Sequence, residues 1–231
     1  TVDIPFEQVR FGKAGVYVYE GPVRLWHWVS ALCIVVLAVT GYLIANPLPT
    51  MGSGEASEHF LMGYIRFVHF ATAYIFAIGF VARIYWAIVG NHHAQQIFTL
   101  NLTDSGWWRG MWKQIRWYLL LEPQAPRFIG HNPFEQLVAF FTFTLPSLMM
   151  IATGFALYSE GAQKGSWADV LFGWVIPLLG QSQDVHTWHH VGMWVIVWYM
   201  LVHLYSVIRE EIMSRQTFVS TMISGYRLFK D

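Results

Sequence analysis

Two histidines, His189 and His203, lie fourteen residues apart in the apolar stretch HTWHHVGMWVIVWYMLVH. At about 100° per residue, this spacing comes within roughly 40° of four full turns, so both rings point from one face of a helix. It also separates them by about 21 Å along the axis, most of the ~30 Å hydrocarbon thickness of a bilayer. Imidazole nitrogens placed in this way could hold two metal centres, one near each membrane surface.

The composition is that of an integral membrane protein. Of its 231 residues, 55% are hydrophobic and only 12% are charged, against roughly 25% charged in soluble domains. Tryptophan, tyrosine and phenylalanine are abundant, as in proteins whose aromatic side chains lie at membrane interfaces. The net charge is zero, which gives no reason to expect nucleic-acid binding.

Hydropathy predicts an all-α protein in which four helices span the membrane. A polar N-terminal tail over 1–22 precedes a transmembrane domain over 23–211, and a polar C-terminal tail over 212–231 follows it. The predicted spans are about 23–45, 60–89, 133–158 and 186–208.

The distribution of positive charge predicts the orientation of the chain. Eleven of the fourteen lysines and arginines lie in the tails, in the connection over 91–132, or beside the first and fourth spans at Arg24 and Arg209. The other two connections contain only Lys164. Because positively charged loops stay in the cytoplasm, both termini and the 91–132 connection are predicted to be cytoplasmic.

The 91–132 connection contains a predicted amphipathic helix over 104–121. Arg109, Lys113 and Arg116 line one face, and an apolar face holds Trp108 and Trp112 with other side chains. A basic helix rich in tryptophan is typical of a helix that lies in the headgroup plane. A solvated helix would show a similar pattern.

The orientation places four intramembrane histidines at two depths. His27 and His203 lie near the cytoplasmic side, whereas His69 and His189 lie in the outer half. Intramembrane histidines face the bundle interior and generally have a function. Bis-histidine ligation of two haems accounts for all four, and filled axial positions favour electron transfer over gas binding. The sequence therefore predicts a di-haem cytochrome b bundle with inner and outer haems.

Arginines precede two of these histidines by three residues. Arg24 stands before His27 and Arg66 before His69, each on the face of its histidine and one turn nearer the surface. Arginine forks match carboxylates, so both are candidates for binding haem propionates. Snorkelling of the side chains to the headgroups is the alternative.

Other polar residues have weaker indications. His186 and His190 flank His189 and are candidates for supporting that ligand or contacting an electron donor. His131, Asn132 and Gln136 could hold the carbonyls of a quinone near the inner haem, although Asn132 would equally serve as a helix cap. Three further histidines are expected in solvent: His59, His92 and His93.

A short repeat links the first and third spans. Thr40-Gly41 occurs in AVTGYLIA and Thr153-Gly154 in IATGFALY. Glycine there permits close approach of a helix or a flat macrocycle. Plain helix packing explains the repeat equally well, so the sequence does not assign it to a site.

Several motifs together resemble a known family. The stretch from Arg24 to Gly41 and the stretch from His186 to His203 are similar to signature segments of the b-type cytochrome subunit of membrane-bound nickel–iron hydrogenases. YIRFVHF, GHNPFEQ and GFALYSE are similar to further segments of this family, and the resemblance covers nearly the whole chain past residue 17. The resemblance is close enough to suggest the oxygen-tolerant, periplasm-facing uptake type.

The resemblance implies a role in hydrogen oxidation in the bacterial cytoplasmic (inner) membrane. The hydrogenase small subunit, with its iron–sulfur clusters and membrane helix, and the large nickel–iron subunit would dock on the outer face. Electrons would pass through two b haems to the quinone pool. The family's haem ligands would correspond to His27, His69, His189 and His203. Related four-helix cytochromes serve formate dehydrogenases and thiosulfate reductases, so the donor stays open.

Two other classes of protein compete with this interpretation. His186, His189 and His190 form the HxxHH pattern of membrane di-iron enzymes, but those sites need several such boxes and the sequence has one. A transporter with intramembrane histidines would be expected to carry acidic relay residues within its spans. Within the predicted spans the only acidic residue is Glu135, at the very start of the third.

Overall fold

The computed structural model describes residues 15–47 and 60–228. Four helical segments of 25 to 32 residues are long and apolar enough to cross a membrane. The predicted all-α membrane architecture with four spanning helices is therefore confirmed. These segments are Gly21–Ala45, Leu61–Val89, Pro133–Gly161 and Ser182–Met213.

Local sequence explains where the long helices begin and end. Helix α1 (Gly21–Ala45) has Pro22 in its first turn, where a missing N–H costs nothing, and it ends just before Asn46-Pro47. Helix α2 (Leu61–Val89) ends at Gly90.

The third spanning segment is irregular in its middle. Helix α4 (Pro133–Ala139) continues into a π-helical turn (Phe140–Thr144), from which helix α5 (Leu145–Gly161) runs on. Proline inside a helix has no N–H to donate and clashes with the preceding turn. The π turn lies immediately before Pro146 and widens the backbone at this point.

Shorter elements connect the spanning helices. Helix α3 (Ser105–Tyr118) begins after Asp104, whose carboxylate accepts hydrogen bonds from the N–H groups of Gly106 and Trp107. The remaining elements are a 3₁₀ turn (His92–Gln95), helices α6 (Trp167–Phe172) and α7 (Val175–Leu179) and, beyond the last long helix, α8 (Ser182–Met213), helix α9 (Val219–Ser224).

The described chain forms two compact units, the first of which is a helical bundle made of the described residues in 25–85 and 138–201. Large apolar side chains such as Leu25 and Phe67 are exposed on its surface. Small polar residues, among them Ser30 and Ser147, are buried inside. Because lipid is as apolar as a protein core, this distribution is the one expected of a bundle that faces hydrocarbon.

The second unit consists of the described residues in 15–24, 86–137 and 202–228. Strand β1 (Val16–Tyr17) pairs antiparallel with strand β2 (Tyr226–Arg227). A small apolar core lies beside it, formed by Val18, Tyr19, Val23 and Ala94. The predicted terminal tails therefore join through a two-stranded sheet, whereas residues 1–14 and 229–231 lie outside the described residues.

Helix α3 has one buried and one exposed face. Its buried face consists of Trp107, Met111, Gln114 and Trp117. Trp108 and Trp112 are exposed, together with the basic residues. The exposed tryptophans remain available to a membrane surface, and the interfacial position of this helix stays a prediction.

Gly225 is expected to be sensitive to substitution. Its φ is +90°, and a Cβ there would lie 2.8 Å from the carbonyl oxygen of Tyr19. We expect Gly225→Ala to destabilise the second unit by at least the roughly 1–2 kcal/mol of a left-handed non-glycine residue. Thermal unfolding in detergent measures the loss.

Gly165 provides the matched control, because its φ is +81° but a Cβ there would meet nothing within 4 Å. Gly165→Ala should therefore lower the unfolding temperature less than Gly225→Ala. Equal losses would show that the contact with Tyr19 is unimportant.

Candidate functional site

His69 and His189 come together in the helical bundle. His69 lies in α2 and His189 in α8, both are half-buried, and the two rings are close enough to interact electrostatically. Each ring is held by a threonine of another helix. The Oγ1 of Thr40 lies 2.8 Å from Nδ1 of His69, and the Oγ1 of Thr153 lies 2.8 Å from Nδ1 of His189.

A glycine follows each of these threonines and lies against the same ring. A Cβ on Gly41 would lie 3.2 Å from Cε1 of His69, and a Cβ on Gly154 would lie 3.1 Å from Cε1 of His189. Both distances are shorter than ordinary van der Waals contact. The two Thr-Gly pairs therefore provide the same seat for an imidazole, a role that the sequence did not assign to them.

His27 and His203 belong to different compact units. His27 lies near the start of α1, half-buried and edge-on to the ring of Trp28 at 5.1 Å. His203 lies in α8, ten residues before its end, and is also half-buried. Both are partly sheltered, as candidate axial ligands should be.

Arg83 is a buried cation that the sequence analysis left without a role. It lies in α2 with 3% of its surface exposed, and its guanidinium lies 5.3 Å from the ring centroid of Trp26. A stacked guanidinium on an aromatic face is stabilised by the ring quadrupole. A buried charge within a spanning helix makes Arg83 a candidate functional residue.

The two predicted propionate-binding arginines have different surroundings. Arg66 is exposed on α2, three residues before His69. The guanidinium of Arg24 donates a hydrogen bond to the carbonyl oxygen of Ile223. Since a guanidinium carries five donors, this bond leaves others for a second acceptor.

His186 and His190 make local hydrogen bonds on α8. Nδ1 of His186 lies 3.0 Å from the carbonyl oxygen of Ser182, one turn back, and this ring is exposed. His190 Nε2 accepts a bond from the indole N–H of Trp194 at 3.0 Å. Neither bond involves His189.

The three residues predicted to contact a quinone lie together in the second unit. The side chain of Asn132 accepts from the N–H of Glu135 at 2.8 Å and so caps helix α4, as the simpler alternative predicted. Gln136 accepts from the indole of Trp107 at 3.0 Å and donates to the carbonyl oxygen of His131 at 3.1 Å. His131 itself bonds through Nδ1 to the hydroxyl of Tyr19, 3.0 Å away.

Two carboxylates in this unit were not selected from the sequence. Glu210 is 2% exposed and accepts a hydrogen bond of 2.7 Å from Gln114. Glu135 and Glu210 both line one small pocket of this unit. Burial raises the pKa of Tyr118 above its ordinary value, and the nearby charges of Glu135 and Glu210 raise it further.

His93 is partly buried, so its predicted exposure to solvent was wrong, whereas His92 is exposed. His59 lies outside the described residues. Burial lowers the pKa of His93 below its ordinary value of 6.5, and the neighbouring charges of His92 and Arg227 lower it further. A hydrogen bond with Gln96 opposes this shift in part.

Within the described ranges, no three histidine, cysteine or carboxylate side chains gather in a group that could hold a metal ion. A di-iron centre would require such a group. A haem requires only one imidazole nitrogen on each face of its iron, and it would fit the pair of imidazoles contributed by His69 and His189.

Comparison with known proteins extends over almost the whole chain. Residues 18–225 match the family described as prokaryotic cytochrome b561. The chain is 60% identical over 225 residues to a "probable Ni/Fe-hydrogenase B-type cytochrome subunit" of Cupriavidus necator, covering 96% of this chain and 92% of that protein. A protein of the same description from Azotobacter vinelandii is 58% identical over 97% of this chain and 93% of its own length. The "probable Ni/Fe-hydrogenase 1 B-type cytochrome subunit" of Escherichia coli K12 is 47% identical, covering 93% of this chain and 91% of that protein.

The lowered pKa of His93 predicts a pH-dependent stability. As the pH falls through 6.5, the unfolded chain binds a proton that the folded chain does not, so stability is lost on the acid side. We expect His93→Gln to reduce the fall in unfolding temperature between neutral and mildly acidic pH. His92→Gln removes only a secondary cause of the lowered His93 pKa and keeps the buried ring, so it should retain most of the wild-type fall in unfolding temperature. Identical curves for all three proteins would contradict the prediction.

Proposed function

Because this chain belongs to the prokaryotic cytochrome b561 family, we propose that it carries electrons across the membrane from a periplasmic nickel–iron hydrogenase through two b haems to a quinone. It is a membrane-spanning cytochrome of b type, with four apolar helices. The observation that carries the proposal is the pair His69 and His189, two imidazoles seated in the same way within one bundle.

The outer haem is proposed to lie between His69 and His189. Bound haem would supply one-electron chemistry, and ligation by two imidazoles would leave no open position for a gas. The chain's own contribution is to hold both rings in place through Thr40 and Thr153. Glycine at 41 and 154 lets each ring approach the helix backbone that supports it.

The inner haem is proposed on sequence depth, with His27 and His203 as its ligands. Arg24 and Arg66 are proposed to bind propionates of the inner and outer haems respectively. Support for Arg66 comes from its exposure and its position one turn from His69. Arg24 would bind a propionate through guanidinium N–H groups other than the one that donates to Ile223.

The hydrogenase is proposed as donor because the relatives carry that enzyme in their names. Its small subunit, with its iron–sulfur clusters and membrane helix, would deliver electrons on the outer side, and the large nickel–iron subunit would oxidise hydrogen. The cationic tails and 91–132 connection support an orientation with both termini in the cytoplasm and a location in the bacterial inner membrane. His186, exposed at the outer end of α8, is the proposed contact with the donor.

The quinone is proposed to bind near His131. The Oδ1 of Asn132 accepts the bond that caps helix α4, and both polar atoms of Gln136 have partners, in Trp107 and His131. His131 bonds through Nδ1 to the hydroxyl of Tyr19, and its Nε2 is the atom proposed to meet a quinone carbonyl. Asn132 and Gln136 would then position His131.

Substitution of the ligands tests the pairing of the histidines. His69→Ala and His189→Ala should each remove the same haem, because each iron needs two imidazoles. His27→Ala and His203→Ala should each remove the other haem. Redox titration of the b-type absorbance in purified protein distinguishes the two haems by their potentials.

His92→Ala, which changes an exposed histidine, serves as the control and should retain both haems. Loss of one haem by His69→Ala and of a different haem by His189→Ala would contradict the pairing. Purified wild-type protein without a bis-histidine b-type spectrum would refute the haem proposal itself.

Purification from a hydrogen-oxidising bacterium tests the donor. Affinity-tagged chain should co-purify with hydrogen-dependent reduction of added quinone, since its outer haem accepts electrons from the hydrogenase. The double variant His69→Ala, His189→Ala should still co-purify with hydrogenase activity toward an artificial dye but should lose quinone reduction. Co-purification with formate oxidation instead would assign the chain to a formate dehydrogenase.

A further inference from the structure

Thr40 and Thr153 make the same set of contacts, although they lie on different helices. The hydroxyl of Thr40 lies 2.7 Å from the carbonyl oxygen of Val36, and that of Thr153 lies 2.7 Å from the carbonyl oxygen of Met149. Each hydroxyl oxygen also lies 2.8 Å from Nδ1 of a histidine. Both threonines are at least nine-tenths buried.

These contacts determine where the protons lie. A hydroxyl has one hydrogen, and a backbone carbonyl can only accept, so each threonine donates to its own helix. The oxygen then faces the imidazole as an acceptor, and Nδ1 of the histidine must carry the hydrogen. In a neutral imidazole this leaves Nε2 unprotonated, with its lone pair free for a metal.

We propose that Thr40 and Thr153 are positioning residues that set the tautomer and ring orientation of His69 and His189, and through them the reduction potential of the outer haem. This inference rests on the proposed function, in which both histidines bind one iron. Each hydroxyl contacts a backbone carbonyl and an imidazole, so it would act on a bound haem through the ring that it holds.

The expected effect on the potential has a definite sign. A hydrogen bond accepted from the N–H of a ligating imidazole raises the basicity of the ligand. A more basic ligand favours ferric over ferrous iron and lowers the potential. Removal of either hydroxyl should therefore raise the midpoint potential of the outer haem and leave the inner haem unchanged.

The hydroxyls also restrict rotation of the rings. Each imidazole is bonded to a helix other than its own and lies against a glycine of that helix. Without the hydroxyl, a ring can turn about its Cβ–Cγ bond. The angle between the two imidazole planes would then change, and the electron paramagnetic resonance signal of a low-spin ferric haem depends on this angle.

Valine variants test the proposal with nearly the same side-chain shape. Thr40→Val and Thr153→Val should each raise the midpoint potential of one haem, the outer one, and leave the other unchanged. Each should also alter the low-spin electron paramagnetic resonance signal of that haem. Thr40→Ser and Thr153→Ser keep the hydroxyl and should restore the wild-type midpoint and signal. The absorbance spectrum of wild-type protein is recorded first, because the absence of b haem there would refute the proposed function.

Thr142 supplies a matched control, since its hydroxyl bonds to the carbonyl oxygen of Val138 at 2.6 Å without an imidazole partner among the described residues. Thr142→Val should leave both midpoints unchanged. Valine variants at 40 and 153 that retain both haems with unaltered midpoints and signals would overturn the inference. If the valine variants lose the outer haem, retention by the serine variants supports it, and equal loss by serine overturns it.

Discussion

The absence of water in the hydrocarbon layer is the constraint on which the structure depends. A polar group there needs a partner within the protein, so spanning segments are helices and side-chain hydroxyls bond to their own backbone. Thr40 and Thr153 do so, yet each also reaches an imidazole on a neighbouring helix. Each threonine therefore satisfies the hydrogen-bonding capacity of its own hydroxyl and also gives the histidine a hydrogen-bond partner. An imidazole without such a partner would be energetically costly in an apolar interior.

In the second unit, too, polar groups find hydrogen-bond partners within the protein, here where helices end. Glu20 accepts hydrogen bonds from the indole of Trp86 and the backbone N–H of Asn91. Arg227 donates to the carbonyl oxygens of Phe128 and Gly130, and Arg209 stacks on Trp117 at 4.3 Å. Segments distant in sequence are therefore joined by side chains that satisfy backbone groups where regular helices stop.

Hydropathy predicted the spanning helices, because a long apolar run can cross a membrane in few forms other than a helix. The predicted orientation of each helix then gave the depth of every histidine, and this selected the four candidate ligands. The contacts of Thr40 and Thr153 could not be predicted, because they depend on which helices are neighbours. The repeat of Thr-Gly was the available signal. The two strands could not be predicted, because two residues are too few to show a periodic pattern. The buried face of α3, which includes Trp107, could not be identified because the exposed face is also rich in apolar residues. Burial of His93 likewise arises from contacts distant in sequence.

The threonine–histidine bonds divide the bundle into two halves. Thr40 and His69 lie on α1 and α2, whereas Thr153 and His189 lie on α5 and α8. Each half thus carries one imidazole whose threonine partner lies in the same half. An iron bound by both rings would act as a cross-link between the two halves. Insertion of the cofactor would then be a late step of assembly. The free energy of cofactor binding would stabilise the association of the two halves and would not be needed to fold either one.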